Sequence, residues 1–211
     1  MNTTPAPFVT FEGIEGSGKT TQVRRLSAYL ERKGIPHLVT REPGGTPLAD
    51  EIRSLLLSPR SETVFPETEL LLYESARAQH VRGVILPARD SGKAVLCDRF
   101  CDATVAYQGF SRGIDESRID WLNAFASAGL SPDLTFLFDI PPEEGIRRVA
   151  ERNGPRDRIE SESREFHRVV REGYLRLAER FPSRILRLDG SLPEDDLFRQ
   201  LQASVAERFG W

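Results

Sequence analysis

Nine residues near the start of the chain, Gly13-Ile14-Glu15-Gly16-Ser17-Gly18-Lys19-Thr20-Thr21, fit the spacing G-x-x-x-x-G-K-[ST]. They follow a short apolar run, Phe8-Val9-Thr10-Phe11, and open a helix-like segment. In that context the backbone N–H groups of the loop and the helix N-terminus converge on one spot and hold polyphosphate. Glycines allow the turns and remove Cβ atoms that would block the phosphates. Lys19 is expected to reach the β- and γ-phosphates, and the Thr20 hydroxyl to ligate Mg²⁺. Glu15 is out of character in such a cradle, because it repels the anion. It makes sense if it faces an acceptor hydroxyl instead, although an exposed loop carboxylate is an equal alternative on local grounds.

The other chemistry-bearing residues fall just after apolar runs. Arg41 follows His37-Leu38-Val39-Thr40, with Arg53 a little further on. Asp98-Arg99 ends Ala94-Val95-Leu96-Cys97, where a carboxylate that holds Mg²⁺ is expected. Arginine suits phosphate through planar bidentate hydrogen bonds, so Arg41, Arg53 and Arg99 together predict a second phosphate site. Asp139 and Asp189 close two further runs. Residues 147–158 hold five arginines in twelve positions, interrupted by Gly154-Pro155. A solvated basic face is the bland interpretation. A lid over transferring phosphates is the sharper one, favoured because the loop from Ile14 to Ser17 carries no arginine of its own.

Positioning these residues calls for alternating elements. The pattern predicts strands at 8–11, 37–40, 94–97, 134–138 and 185–188. It predicts helices at 20–33, 48–57, 67–89 (bent or ended near Pro87), 115–128, 142–152, 160–180 and 193–209. Ile119, Leu122, Phe125 and Ala126 are spaced for one apolar face. Five strands alternating with helices imply an α/β fold, a five-stranded parallel sheet flanked by helices on both faces, with ligands beyond the carboxyl ends of the strands. One domain over residues 8–211 is expected, after a frayed tail at 1–7.

Composition narrows the classes. The chain has 211 residues, 39% hydrophobic and 29% charged, an ordinary globular balance. A net charge of −3 gives no global field for nucleic acid. No run is long enough for a membrane span. Cys97 and Cys101 are too few for a disulfide framework and suit free thiols in a reducing cytoplasm. His37, His80 and His167 are scattered and offer no catalytic histidine.

Taken together, F-E-G-I-E-G-S-G-K-T-T, T-R-E-P-G-G-T, I-R-S-L-L-L, D-R-F, A-Y-Q-G-F-S-R-G-I-D, S-P-D-L-T and D-R-I-E resemble the thymidylate kinases, from Phe8 to about Leu188. The resemblance implies a P-loop kinase fold and transfer of the γ-phosphoryl group of ATP to dTMP. It implies that Gly13 to Thr21 bind ATP, that Thr20 and Asp98 organise Mg²⁺, and that Glu15 meets the sugar 3′-hydroxyl. Arg53 and Arg99 would grip the acceptor phosphate, with Arg41 nearby. Tyr73 stands where the family commonly has phenylalanine stacked on thymine, and Arg77, Thr104 and Gln108 would read the base. Arg152, Arg156 and Arg158 would be the cations of a lid at about 147–160, Arg158 the best matched. A loop without arginine and a basic lid resemble the one of the family's two subtypes that is common in bacteria. The resemblance also implies a homodimer and a cis bond before Pro43.

Two rivals remain at this point: a kinase for another nucleoside monophosphate or a deoxynucleoside, and a nucleotide-dependent switch. A deoxynucleoside kinase has no use for an arginine clamp on an acceptor phosphate. A guanine switch needs N-K-x-D, which the sequence lacks.

Overall fold

Five parallel strands form one sheet in the order β2-β3-β1-β4-β5, with β1 at Phe8–Glu12, β2 at His37–Arg41, β3 at Ala94–Asp98, β4 at Leu134–Asp139 and β5 at Ile185–Asp189. The computed structural model describes residues 5–152 and 155–211. Residues 1–4 of the predicted tail and the Asn153-Gly154 break of the predicted lid lie outside the described residues. Within the rest of that tail, Ala6 O accepts a hydrogen bond from Arg89 and Pro7 O accepts one from the amide of Val95.

The strands at the centre are apolar on both faces, because helices cover both. All five residues of β1 and all six of β4 are buried. The edge strand β2 is only part-buried. On one face Val9, Phe11, Phe136 and Phe138 pack with Val23, Leu26 and Leu30 of α1 (Lys19–Arg32) and Leu197 and Leu201 of α9 (Glu194–Phe209). On the other, Leu137 and Ile185 pack with Val170, Tyr174 and Leu177 of α8 (Arg164–Arg180). Phe11 and Phe138 stack at 6.3 Å within the first of these cores. Within the sheet, Thr10 and Thr135 satisfy each other's buried hydroxyls at 2.7 Å. Among the described residues no helix is long and apolar enough to cross a membrane.

The remaining helices correct several expectations. α2 (Pro47–Leu57) starts on Thr46, whose hydroxyl accepts from the Ala49 amide. The segment expected as a helix over 67–89, bent or ended near Pro87, is a contiguous run of three pieces: α3 (Pro66–His80), a widened π-helical turn (Val81–Ile85) and α4 (Leu86–Asp90). Pro87 lacks the N–H that regular α-helical bonding would use, and the widened turn precedes it. Residues 99–114 carried no predicted element, yet α5 (Cys101–Thr104) runs into a second π-helical stretch (Val105–Ser111). α6 (Glu116–Ala126) buries Ile119 and Ala126, but Phe125 is 69% exposed and stacked on exposed Trp121. α7 spans Pro142–Glu151. α8 begins at Arg164 rather than 160, because the Ser163 hydroxyl caps it through the Phe166 amide. Cys97 is buried and Cys101 half-buried, both as free thiols.

Candidate active site

The carboxyl ends of β1, β2 and β3 open onto one cavity of about 210 Å³, large enough for ordered ligand groups. Its floor is the glycine loop. Gly13 has φ +139°, and a Cβ there would lie 2.5 Å from Phe138 O. Gly16 has φ +74°, and its Cβ would lie 2.5 Å from the carbonyl of Gly145 in α7. Only glycine combines those backbone angles with that approach. Ile14 sends its side chain into the core, so only its backbone serves the loop. Lys19 Nζ donates to Gly13 O, Ile14 O and Ser17 Oγ at 2.9, 2.9 and 3.2 Å. Burial, reinforced by Arg99, pushes its ammonium down to about 8 against the pull of Asp98, Glu15 and Glu12.

Glu15 is bound from three sides. Its Oε1 accepts from Arg99 Nη2 at 2.8 Å and from Tyr107 Oη at 2.6 Å. Its Oε2 lies 3.2 Å from His167 Nδ1. Burial opposes ionisation, but Arg99, His167 and Lys19 outweigh it and hold the carboxyl well below the usual carboxylate range. Arg99 itself has φ +72°, a conformation that costs a non-glycine residue about 1 kcal/mol or more. Its contacts over-determine that conformation: Nη1 donates to Gly13 O at 2.9 Å and Tyr174 Oη at 3.1 Å, and the guanidinium lies 5.0 Å from the Tyr107 ring. Beneath it, buried Glu12 accepts from the Phe100 amide and from Tyr174 Oη, each at 2.7 Å. Burial, with Asp102 nearby, raises the Glu12 carboxyl to about 8.

Thr20 Oγ1 donates to Asp98 Oδ2 at 2.9 Å, and both residues line the cavity. Arg41 and Arg53 line it too. Arg53 donates to Pro43 O at 2.9 Å, and burial, then Arg41, lowers its pKa. The Glu42–Pro43 bond is cis. Tyr73, Thr104 and Gln108 line the same cavity, and burial, then Glu69, raises the Tyr73 phenol. Gln108 donates to Glu69 at 2.8 Å. Arg77 is buried and tied down, Nε to Glu42 at 2.8 Å and Nη1 to Glu74 and Asn123 at 2.6 Å, and it is among the residues lining the cavity.

The arginine-rich segment divides. Arg152 lines the main cavity and pairs with Glu160. Arg156 lines a small neighbouring cavity with Glu15, Glu160 and His167. Arg158, the best-matched lid cation in the sequence, lines neither. Its Nη1 pairs with fully buried Glu69 at 2.6 Å, and its Nε donates to Leu56 O at 2.8 Å. A buried carboxylate is the stronger attractor for an arginine than open solvent at the cavity mouth. Arg147 pairs on the surface with Glu144 and Glu151. The carboxylates after β4 and β5 also leave the site: Asp139 is clamped by Arg171 and Arg187, and Asp189 bonds Ser191.

Four participants escaped sequence reasoning: Glu12, Tyr174, His80 and His167. His80 Nδ1 lies 3.0 Å from Glu42 and its Nε2 2.7 Å from the Thr40 hydroxyl. Glu12 stands just before the glycine loop without being one of its spaced positions, and the other three lie outside every quoted motif. The only available signal is a polar residue inside an otherwise apolar pattern, which is weak.

The family model described as thymidylate kinase matches residues 11–201. The curated thymidylate kinase of Geotalea uraniireducens is 49% identical over 206 residues, covering 95% of this chain and 97% of that one. That of Syntrophotalea carbinolica is 50% identical over 199 residues, covering 92% of each. A crystal structure of thymidylate kinase from Ehrlichia chaffeensis superimposes with a TM-score of 0.76 at 32% identity, over 96% of this chain and 99% of that one.

Proposed function

The chain belongs to the thymidylate kinase family, and from that membership we propose how its residues divide the work of transferring the γ-phosphoryl group of ATP to dTMP. One observation carries the assignment: a single cavity brings the polyphosphate loop of Lys19 and Thr20 together with Arg41, Arg53 and Arg99, and with Tyr73, Arg77, Thr104 and Gln108. An anion-binding loop takes the donor, the arginines take the acceptor phosphate, and the remaining side chains take the base. The acceptor phosphate is already an anion near neutral pH, so positioning and charge stabilisation suffice and no strong general base is needed.

Glu15 meets the acceptor's sugar hydroxyl, its charge secured by Arg99 and Tyr107. Thr20 and Asp98 offer a hydroxyl and a carboxylate, the hard oxygen donors that Mg²⁺ takes. When bound, the ion would neutralise phosphate charge. Arg152 is the lid cation already at the cavity, and Arg156 is next to it. Arg158 acts through Glu69, as an anchor of the lid.

We further propose a homodimer. Leu48 and Leu55 of α2, Phe65 and Leu71 at α3, and Trp121 and Phe125 of α6 are large exposed apolar side chains on neighbouring helices, a face that a second copy would cover. Free, unpaired thiols suit a cytoplasmic setting.

The deciding experiment measures ADP release with Mg-ATP against dTMP, dUMP, thymidine and other nucleoside monophosphates. Turnover on dTMP above the rest is the expected result. Turnover on thymidine without turnover on dTMP would sink the assignment. Calorimetric ATP binding, with Mg²⁺ and with a chelator, tests the metal residues independently of activity: Asp98→Asn should remove most of the difference between the two. Light scattering tests the dimer, with Trp121→Glu expected to yield monomer.

A further inference from the structure

Glu15 has two oxygens in different circumstances. Oε1 is satisfied twice, by Arg99 and Tyr107. Oε2 is buried and completes no well-formed hydrogen bond among the described residues. Beside it lies His167 Nδ1 at 3.2 Å, the outer edge of hydrogen-bond distance. His167 is itself 3% exposed, and its ring meets the Phe166 ring edge-on at 5.5 Å. An imidazole with a polar edge this deeply buried needs a partner.

His167 and Tyr174 lie seven residues apart on α8, two turns along one face. Tyr174 Oη accepts from Arg99 and donates to Glu12. One helix therefore touches both Arg99 and Glu15. α8 also begins at Arg164, one short turn after the arginine-rich segment ends at Arg158. The small cavity between them is lined by Ile14, Glu15, Arg156, Glu160 and His167 among others.

We propose that His167 is a positioning residue: it holds Glu15 Oε2 so that the carboxylate is aimed at the acceptor's sugar hydroxyl, and it ties that aim to the seating of α8. This rests on the assignment of Glu15 to the sugar hydroxyl. Without His167, Glu15 remains charged and bonded to Arg99 and Tyr107 but is free to swing about the Oε1 contacts. The loss falls on recognition of one hydroxyl, not on the phosphate clamp or the ATP loop.

The test compares two acceptors, dTMP and its 3′-deoxy analogue, across Glu15→Gln, His167→Phe and His167→Asn. One hydrogen bond to a charged group supports an effect of about tenfold. His167→Phe should raise KM for dTMP about tenfold, leave KM for ATP within about twofold, and leave KM for the 3′-deoxy acceptor unchanged. His167→Asn, whose amide nitrogen falls near the position of Nδ1, should restore most of the loss. An equal rise on both acceptors, or failure of Asn to rescue, overturns the proposal and marks His167 as a packing residue only. Glu15→Gln separates the two levels: if it affects both acceptors alike, the assignment of Glu15 to the hydroxyl fails. If it discriminates and His167→Phe does not, the role of His167 alone fails.

Discussion

Replacing Arg99 by Met removes one partner of a buried ion pair while keeping an unbranched side chain at φ +72°. Glu15 then loses its charge partner at 2.8 Å, and Gly13 O and Tyr174 Oη lose a donor. Orphaning a buried charge costs about 3–5 kcal/mol. Here the side chains of Arg99 and Glu15 keep 18% and 15% exposure, and His167, Tyr107 and Lys19 still face the carboxylate, so about 2–3 kcal/mol is expected. For a chain of this size that is a fall in Tm of about 4–12 °C. Arg99→Met combined with Glu15→Gln should be more stable than Arg99→Met alone, since no charge is then stranded. The coupling energy should be about 1–3 kcal/mol. The pH dependence has a definite sign. Glu15 has a folded pKa below its ordinary value of 4.5, so its stabilisation is complete above that value and is lost as pH falls below it. In Arg99→Met burial loses its strongest opponent, the folded pKa of Glu15 rises, and protonation relieves the variant. The gap between wild type and variant, from urea unfolding, should therefore be larger at pH 7.5 than at pH 4.5. Additivity within about 0.5 kcal/mol, or a gap that stays constant or widens in acid, would refute the central place given to this pair.

Three further outcomes are expected. Gly145→Ala sets helix propensity, which favours alanine by about 1 kcal/mol, against a Cβ placed 2.5 Å from Glu15 O. Overpacking against backbone costs about 1–3 kcal/mol, so the variant should be less stable and bind ATP more weakly, and a calorimetric Tm above wild type would contradict this. Glu69→Ala strands Arg158, which pairs with it at 2.6 Å, while Arg112 loses its 3.0 Å contact but keeps Glu162 at 2.6 Å, and should cost about 2–3 kcal/mol. It should also speed tryptic cleavage after Arg158, whereas an unchanged digestion pattern would show that Glu69 does not anchor the segment. Burial pushes both the Cys97 and Cys101 thiols up, so a thiol reagent at pH 8 should label neither in the native protein and both in urea.

The amino-acid sequence determined whatever is written in neighbouring residues. The loop from Gly13 to Thr21 needs only its own backbone angles and a strand and helix at its ends, so its chemistry is legible as spacing. Alternating apolar runs foretell five parallel strands, because burial on both faces leaves no polar positions in them. The cavity residues at the carboxyl ends of strands, Arg41, Asp98 and Arg99, are legible because ligands bind beyond those ends. Tertiary structure decided the rest. Strand order is set by crossovers, which leave no mark on any single strand. Arg158 went to Glu69, 89 positions away in numbering, because a buried carboxylate must be paired. Glu15 acquired Arg99, Tyr107 and His167 from three distant segments, and Glu12 acquired Tyr174. Local propensity acts over a turn or two of chain. Desolvation acts on whatever the packed fold brings within a few ångströms, and that distance is not a function of sequence separation.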